Sequence, residues 1–358
     1  MKILVIANMF PSKEYPSYGV FVKNHVHLMK EAADEVETIT MRKELNKWKK
    51  LWLYVCFYWR IFFTLLFKKH DLVYLHYASH SALPILGAKF LNRKINLTVN
   101  VHGSDVFPET TFQEHLQQWV KRLLKKANHV VVPSDYFKQV VMKRYGIASE
   151  LILISPSGGV NRTLFAPQKK EGDTSLFRVG YVGRIDVDKG WDDALRGFSE
   201  FKHQSGKKAE LIMVGSGKEN AQKEALIEEL DLQNDVRCYD LLPQEELVAL
   251  YNEMDVFVFP SRRQGESLGL VGIEAMACGV PVIGSEIAGI KGYLVEGENG
   301  YFTEPGKPYS IAEKLLAFNA SSEEEKRELK RHAFYSAAPY DQLHVQKDMT
   351  EMLTVLAK

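Results

Sequence analysis

Short apolar runs alternate with longer stretches of helical period along almost the whole chain. Ile3–Ala7, Val36–Thr40, Leu72–His76, Asn96–Val101 and His129–Pro133 read as buried strands. A second series comprises Leu151–Ser155, Phe177–Val182, Ala209–Val214, Val236–Tyr239, Val256–Phe259 and Pro281–Gly284. Between them Phe112–Ala127, Trp191–Ser205, Ala221–Leu230 and Glu245–Met254 repeat apolar residues at three- and four-residue spacing, which predicts amphipathic helices. Strands apolar on both faces and alternating with helices belong in parallel sheets covered on both sides. The stretch "SPSGGVNRTLFAPQKKEGDTS", rich in Gly, Pro, Ser and charge, interrupts the pattern. The expected architecture is α/β, two Rossmann-like domains joined there, and 358 residues exceed what one core usually organises.

One segment departs from the alternation. "RKELNKWKKLWLYVCFYWRIFFTLLFKKHD" holds an apolar, aromatic run, Leu51–Phe67, broken by Arg60 and flanked by lysines on both sides. A spanning helix needs about 20 apolar residues, so the run is short for that role. Two readings stand: a core helix preceding Leu72–His76, or a helix lying in a membrane interface, with Trp48, Trp52 and Trp59 and basic flanks as its marks.

Charge sharpens the second reading. The net charge of +1 hides an imbalance: residues 1–165 hold 23 Lys/Arg and 12 Asp/Glu, whereas residues 166–358 hold 23 and 33. The first half therefore faces something anionic, and a membrane surface fits segment 42–69. Cys56, Cys238 and Cys278 stand far apart, which points to a reduced, cytosolic compartment and away from a zinc site. The opening "MKILVIANMF" reads as a strand rather than a signal peptide, so the two Asn-x-Thr sequons carry no meaning for glycosylation. Nothing calls for nucleic acid as a partner.

No G-x-G-x-x-G follows the first strand, and the G-x-G of "MVGSGKEN" has Asn220 at the third position, so it reads first as a tight strand–helix turn. His76 and His80 are expected on a loop lining a cleft rather than as a metal pair. The stretch "RRQGESLGLVGIEAMACGVPVIGSE" carries more. After the strand Val256–Phe259 a loop runs to Gly269, and a helix starts near Leu270. A helix start offers unpaired N–H groups and partial positive charge, which suit a phosphate. Glu274, a turn in, would accept from paired hydroxyls such as those of a ribose. Glu266 would reach hydroxyls beyond the phosphates. The plainer alternative is a solvated loop glutamate and a helix glutamate paired with a lysine.

This stretch resembles the E-x7-E signature of glycosyltransferase family 4, retaining nucleotide-sugar enzymes of the GT-B fold. It runs from Glu266 through Ser267, Leu268, Gly269, Leu270 and Val271 to Glu274. "GYVGRIDVDKGWDDAL", "VHGSD" and "SGGVNRTLFAP" resemble further family segments. The resemblance implies two domains facing across a cleft. An acceptor domain would span 1–163 with a returning C-terminal helix in 338–358, and a donor domain 164–337.

The resemblance also implies roles. Arg184 and Lys189, with Gly19 and the amides of Leu270 and Val271, would hold the donor diphosphate. His102, Glu266, Ser267, Leu268 and Gly269 would meet the sugar, Glu274 the ribose, and Tyr239 and Leu241 the base. The D-x-D of Asp186 and Asp188 would belong to the Arg/Lys loop, with no metal or other cofactor. The implied activity moves a hexosyl unit from a nucleotide diphosphate sugar, UDP-linked, to a glycan or lipid-linked acceptor at the inner face of the cell membrane. A sugar-nucleotide epimerase of the same architecture is the alternative.

Overall fold

The computed structural model describes residues 1–15, 18–169 and 176–357. The chain divides into two compact units, Met1–Gly158 with Leu343–Lys358, and Gly159–Gln342. The sequence-based boundary at 163 lies a few residues inside the second unit, and residues 170–175 of the interrupting stretch lie outside the described residues.

The first unit contains strands β1 (Lys2–Ala7), β2 (Glu35–Thr40), β3 (Leu72–His76), β4 (Leu97–Asn100), β5 (His129–Val132) and β6 (Ile152–Ile154). Its helices are α1 (Val20–Ala32), α2 (Lys47–Phe67), α3 (Ala78–Leu91), α4 (Thr111–Leu124) and α5 (Asp135–Tyr145). The strands form one parallel sheet in the order β2-β1-β3-β4-β5-β6. Alternation along β1 shows why its run is apolar throughout: Leu4 and Ile6 enter the core on one face, Ile3, Val5 and Ala7 the core on the other. β6 extends this sheet, its ladder supplied by Val130–Val132 of β5, so the strand expected at Leu151–Ser155 falls in the first unit, on the near side of the interrupting stretch.

In the second unit are β7 (Phe177–Val182), α6 (Trp191–Ser205), β8 (Ala209–Val214), α7 (Asn220–Glu229), β9 (Val236–Tyr239) and α8 (Gln244–Glu253). β10 (Val256–Phe259), α9 (Leu270–Ala277), β11 (Val282–Ser285), β12 (Gly300–Thr303), α10 (Pro308–Ala320) and α11 (Glu323–Ser336) complete it. The sheet is again parallel, in the order β12-β11-β10-β7-β8-β9. β12 has no apolar run; it is held by its ladder to β11, Val282↔Gly300 through Ser285↔Thr303. A final helix, α12 (Gln342–Leu356), belongs to the first unit. Its Met349, Leu353 and Leu356 join Val22, Val26 and Met29 of α1 over one face of the sheet, and Asn96 Nδ2 donates to the Leu356 carbonyl at 2.6 Å.

α2 is the crossover between β2 and β3. By length and composition alone it could cross a membrane, but here Phe57, Ile61 and Leu65, one per turn, are buried against the sheet. Most of its remaining apolar residues are exposed: Trp48, Leu51, Trp52, Trp59, Phe63 and Phe67 among them. A simple core helix does not describe it.

Candidate functional site

In open parallel sheets ligands bind beyond the carboxyl ends of the strands, where the strand order reverses. In the second unit the reversal falls between β7 and β10. A cavity of about 250 Å³ lies there. It is lined after β7 by Gly183, Arg184 and Lys189, and after β10 by Glu266, Gly269, Leu270 and Val271. Six of the residues singled out from sequence thus converge on one place.

Backbone geometry builds it. Gly269 caps α9 with φ 73°, and a Cβ there would lie 2.3 Å from Phe259 Cε1. Only glycine fits that close left-handed turn. It sets the first-turn amides of Leu270 and Val271, which have no intrahelical acceptor, at the cavity wall. Gly190, φ 69°, likewise lets the loop after β7 press on β10; a Cβ would meet the Pro260 carbonyl oxygen at 2.0 Å. Arg262 ties the same two loops from outside, donating to Asp193 Oδ2 and Asp192 Oδ2 at 2.7 Å each. These hydrogen bonds raise its pKa further. The G-x-G after β8 is a packing turn: a Cβ on Gly215 would overlap the Gly183 carbonyl.

The charged groups are interlocked. Lys189 Nζ donates to Glu266 Oε2 at 2.7 Å, and Ser261 Oγ to the same oxygen at 2.9 Å. Glu266 is buried, so the solvated-glutamate alternative fails for it; what it pairs with is the other candidate cation. Arg184 is more exposed and pairs with Asp186 Oδ2 at 2.7 Å. Asp188 stands 3.8 Å from Arg263 Nε. Both acidic residues of the D-x-D therefore lie beside arginines. The Tyr181 hydroxyl donates to the Arg184 carbonyl at 3.0 Å and fixes the loop's start.

Glu274 sits on α9 with no lysine partner among the described residues. Its Oε2 lies 3.2 Å from the Tyr251 hydroxyl, which is also 3.1 Å from the Val271 carbonyl. Burial pushes this carboxyl up to about 7, the tyrosine hydrogen bond offsetting part of the rise. Ser261, Tyr251 and Arg262 were not singled out from sequence; each reaches the site from a residue type common on any surface.

Other candidates lie elsewhere. Leu268 is buried and does not line the cavity, nor does Ser267. Tyr239 ends the edge strand β9 and Leu241 follows it, both also outside that lining. Gly19 caps α1 in the first unit, its backbone against Met9 and Phe10. His102 follows β4 in the same unit. Its Nε2 is 2.9 Å from His76 Nδ1, and its ring packs 4.8 Å from Phe21 and Tyr77. Buried Asp105 accepts from the amides of His102 and Gly103 at 3.0 Å and of Ala78 at 3.3 Å, pinning the loop. Burial, reinforced by His25, lowers His102 to about 3, so the ring is neutral near pH 7. The loop expectation for His76 and His80 is corrected: His76 ends β3 and is buried against His102, while His80 stands on α3, within 3.1 Å of Ser79 Oγ.

Two family models match in succession. "Glycosyltransferase Family 4" covers residues 21–158 and "Glycosyl transferases group 1" residues 164–334. A capsular polysaccharide biosynthesis glycosyltransferase, CapM of Staphylococcus aureus, is 36% identical over 142 residues, 39% of this chain and 36% of that protein. The amylovoran biosynthesis glycosyltransferase AmsK of Erwinia amylovora is 27% identical over 68% of this chain and 60% of its own length. The matched stretches thus span between about a third and three-fifths of those relatives. HepE of Anabaena, solved in complex with UDP, superposes with a TM-score of 0.76 at 18% identity over 99% of this chain and 100% of that one, a likeness of fold. With paired parallel six-stranded sheets of the GT-B type and both family models matched, the chain belongs to glycosyltransferase family 4, the group 1 glycosyl transferases.

Proposed function

We propose that this chain transfers a hexosyl unit from a nucleotide diphosphate sugar to a glycan or lipid-linked acceptor at a membrane, in the building of a surface polysaccharide. The observation that carries the reading is the cavity at the β7/β10 reversal. Arg184, Lys189 and the first-turn amides of α9 stand together there, a set suited to a diphosphate whose charge grows as the glycosyl bond breaks. Glu274, a turn further along α9, suits the ribose, and Glu266 the sugar. The roles of CapM and AmsK in capsular polysaccharide and amylovoran biosynthesis support the acceptor class, and the UDP held by HepE supports the base. The family match disfavours the epimerase.

With Glu266 held by Lys189 and Ser261 and given to the sugar hydroxyls on this reading, retention would follow from attack on the face that the diphosphate leaves. The leaving oxygens themselves would take the acceptor proton. On this reading Arg184 and Lys189, released from Asp186 and Glu266, would neutralise the diphosphate in place of a metal. α2, with its exposed tryptophans and basic flanks, would hold the enzyme on the cytoplasmic face of the membrane.

Incubation with a panel of labelled nucleotide sugars and an EDTA arm tests the core of this. One donor should be slowly hydrolysed, or transferred to membrane extract, with the α-anomer retained from an α-donor and EDTA without effect. Epimerised donor, or no turnover with any donor, would overturn it. Cosedimentation with anionic vesicles should be lost when lysines 43, 47, 49 and 50 become glutamine; unchanged binding would remove the membrane role.

A further inference from the structure

Another cavity, about 1060 Å³, lies in the first unit, beyond the carboxyl ends of β1 and β2 and beside α2. It is away from the strand-order reversal between β1 and β3 where His76 and His102 stand. Five cations line it: Lys13, Lys23, Arg42, Lys43 and Arg60. Two carboxylates, Glu14 and Glu44, oppose them, and Glu44 already accepts from the Asn46 amide at 2.8 Å. Among the described residues none of the five cations has an ion-pair partner; Lys43 lies over the Tyr15 ring, 4.3 Å from its centre. Clustering unpaired like charges costs free energy, and an anion of more than one charge offsets it.

α2 tells what kind of anion. Leu53, Cys56, Phe57 and Arg60 give the cavity one wall, at the i, i+3, i+4, i+7 spacing of a single helical face. The core stripe of Phe57, Ile61 and Leu65 borders that face on one side. At about 100° per residue, the exposed stripe of Trp52, Trp59 and Phe63 borders it on the other. Trp59, Phe63 and Phe67 stack on one another at 5.3 and 5.9 Å. A polycationic pocket thus opens beside an exposed aromatic ridge on the same helix. A soluble nucleotide or free phosphate would have no use for that ridge.

We infer that this cavity binds the phosphate or diphosphate head of an amphiphilic acceptor, its hydrocarbon chain lying along the outer face of α2. The inference rests on the proposed transferase reading and names the chemistry of its acceptor: a glycan joined to lipid through phosphate.

Cys56 makes the site testable without mutation, because it lines the cavity and is partly accessible, whereas Cys238 is exposed on the second unit. The probes are farnesyl diphosphate, which has both head and chain, inorganic pyrophosphate, which has only the head, and farnesol, which has only the chain. All three are applied with UDP at saturation to occupy the other diphosphate site. Farnesyl diphosphate should slow maleimide labelling of Cys56 at least fivefold and leave Cys238 unchanged, at a concentration where the other two do neither. Lys23→Ala with Arg60→Ala should raise the half-protecting concentration at least tenfold, with UDP affinity unaltered. Equal protection by pyrophosphate would make this a free-phosphate site, and no protection by any probe, or protection untouched by the double variant, would overturn the inference. Should that variant not fold, loss of wild-type protection at high salt replaces it, and salt-insensitive protection would count against the site. Failure of UDP to bind in the same samples would instead indict the transferase reading.

Discussion

At the scale of single residues, the two signature glutamates are set apart by their surroundings. Glu274 faces a tyrosine and, among the described residues, no cation, and its carboxyl is raised from its ordinary value to about 7. Because the folded form holds the proton more tightly than the unfolded chain, the stability it contributes is complete below about 4.5. That contribution is lost as pH rises towards 7. A ligand whose hydroxyls donate to the ionised form has the opposite linkage. Nucleotide-sugar affinity should therefore climb between pH 6 and 8, by up to about tenfold per unit below the pKa, with proton release on binding. Calorimetry in two buffers of different ionisation heat reads both, and Glu274→Gln should flatten the profile; a flat wild-type profile would remove Glu274 from the ribose. Glu266 is instead locked to Lys189 in a largely buried pair. Removing either partner leaves an uncompensated charge and should cost about 3–5 kcal/mol in urea unfolding. Lys189→Met with Glu266→Gln should cost clearly less than the sum of the two single changes. Additive losses would mean that the contact carries no coupling. The signature spacing made both glutamates readable from sequence. Their partners, Ser261 and Tyr251, were not, because a serine or tyrosine acquires meaning only when the fold brings it to a carboxylate.

Among elements, strands buried on both faces were readable to within a residue or two, since period and apolarity agree there. β12 was not, because Gly300 opens it and only pairing with β11 makes it a strand. α2 was ambiguous for a related reason. Its core stripe, cavity wall and outer ridge are all apolar or aromatic, and hydrophobicity alone does not say which neighbour each face has. The two loops around the donor cavity depend on backbone contact more than on side chains. Gly190→Ala forces a left-handed residue and a Cβ against the Pro260 carbonyl. Thermal unfolding should shift down by several degrees, the expectation for a strained core-loop change of about 2 kcal/mol. UDP binding should fall with it, and an unchanged melt would show that the loop relaxes freely.

For the whole molecule, the charge split noted in the sequence has a structural address. Five of the first unit's cations line the cavity beside α2, while the second unit's acidic surplus includes the Glu-rich start of α11. The second unit is continuous in sequence, and its two chain ends are stitched together. The Val160 amide donates to the Tyr340 carbonyl at 2.7 Å, and the Gln342 amide to the Val160 carbonyl at 2.8 Å. Residues 159–342 expressed alone should therefore melt cooperatively and bind UDP. A fragment that melts without cooperativity would show that this unit leans on the rest of the chain.

The return of α12 to the first unit has a consequence for biosynthesis. The ribosome delivers β1 through β6 early, yet the helix that covers Ile3, Val5 and Leu72 comes only after the entire second unit has been translated. At about 5–20 residues per second the nascent first sheet waits roughly ten seconds or more with a greasy flank uncovered. A chaperone that recognises apolar strands would find its client in that interval, and a stalled or prematurely terminated message would leave an aggregation-prone half-protein.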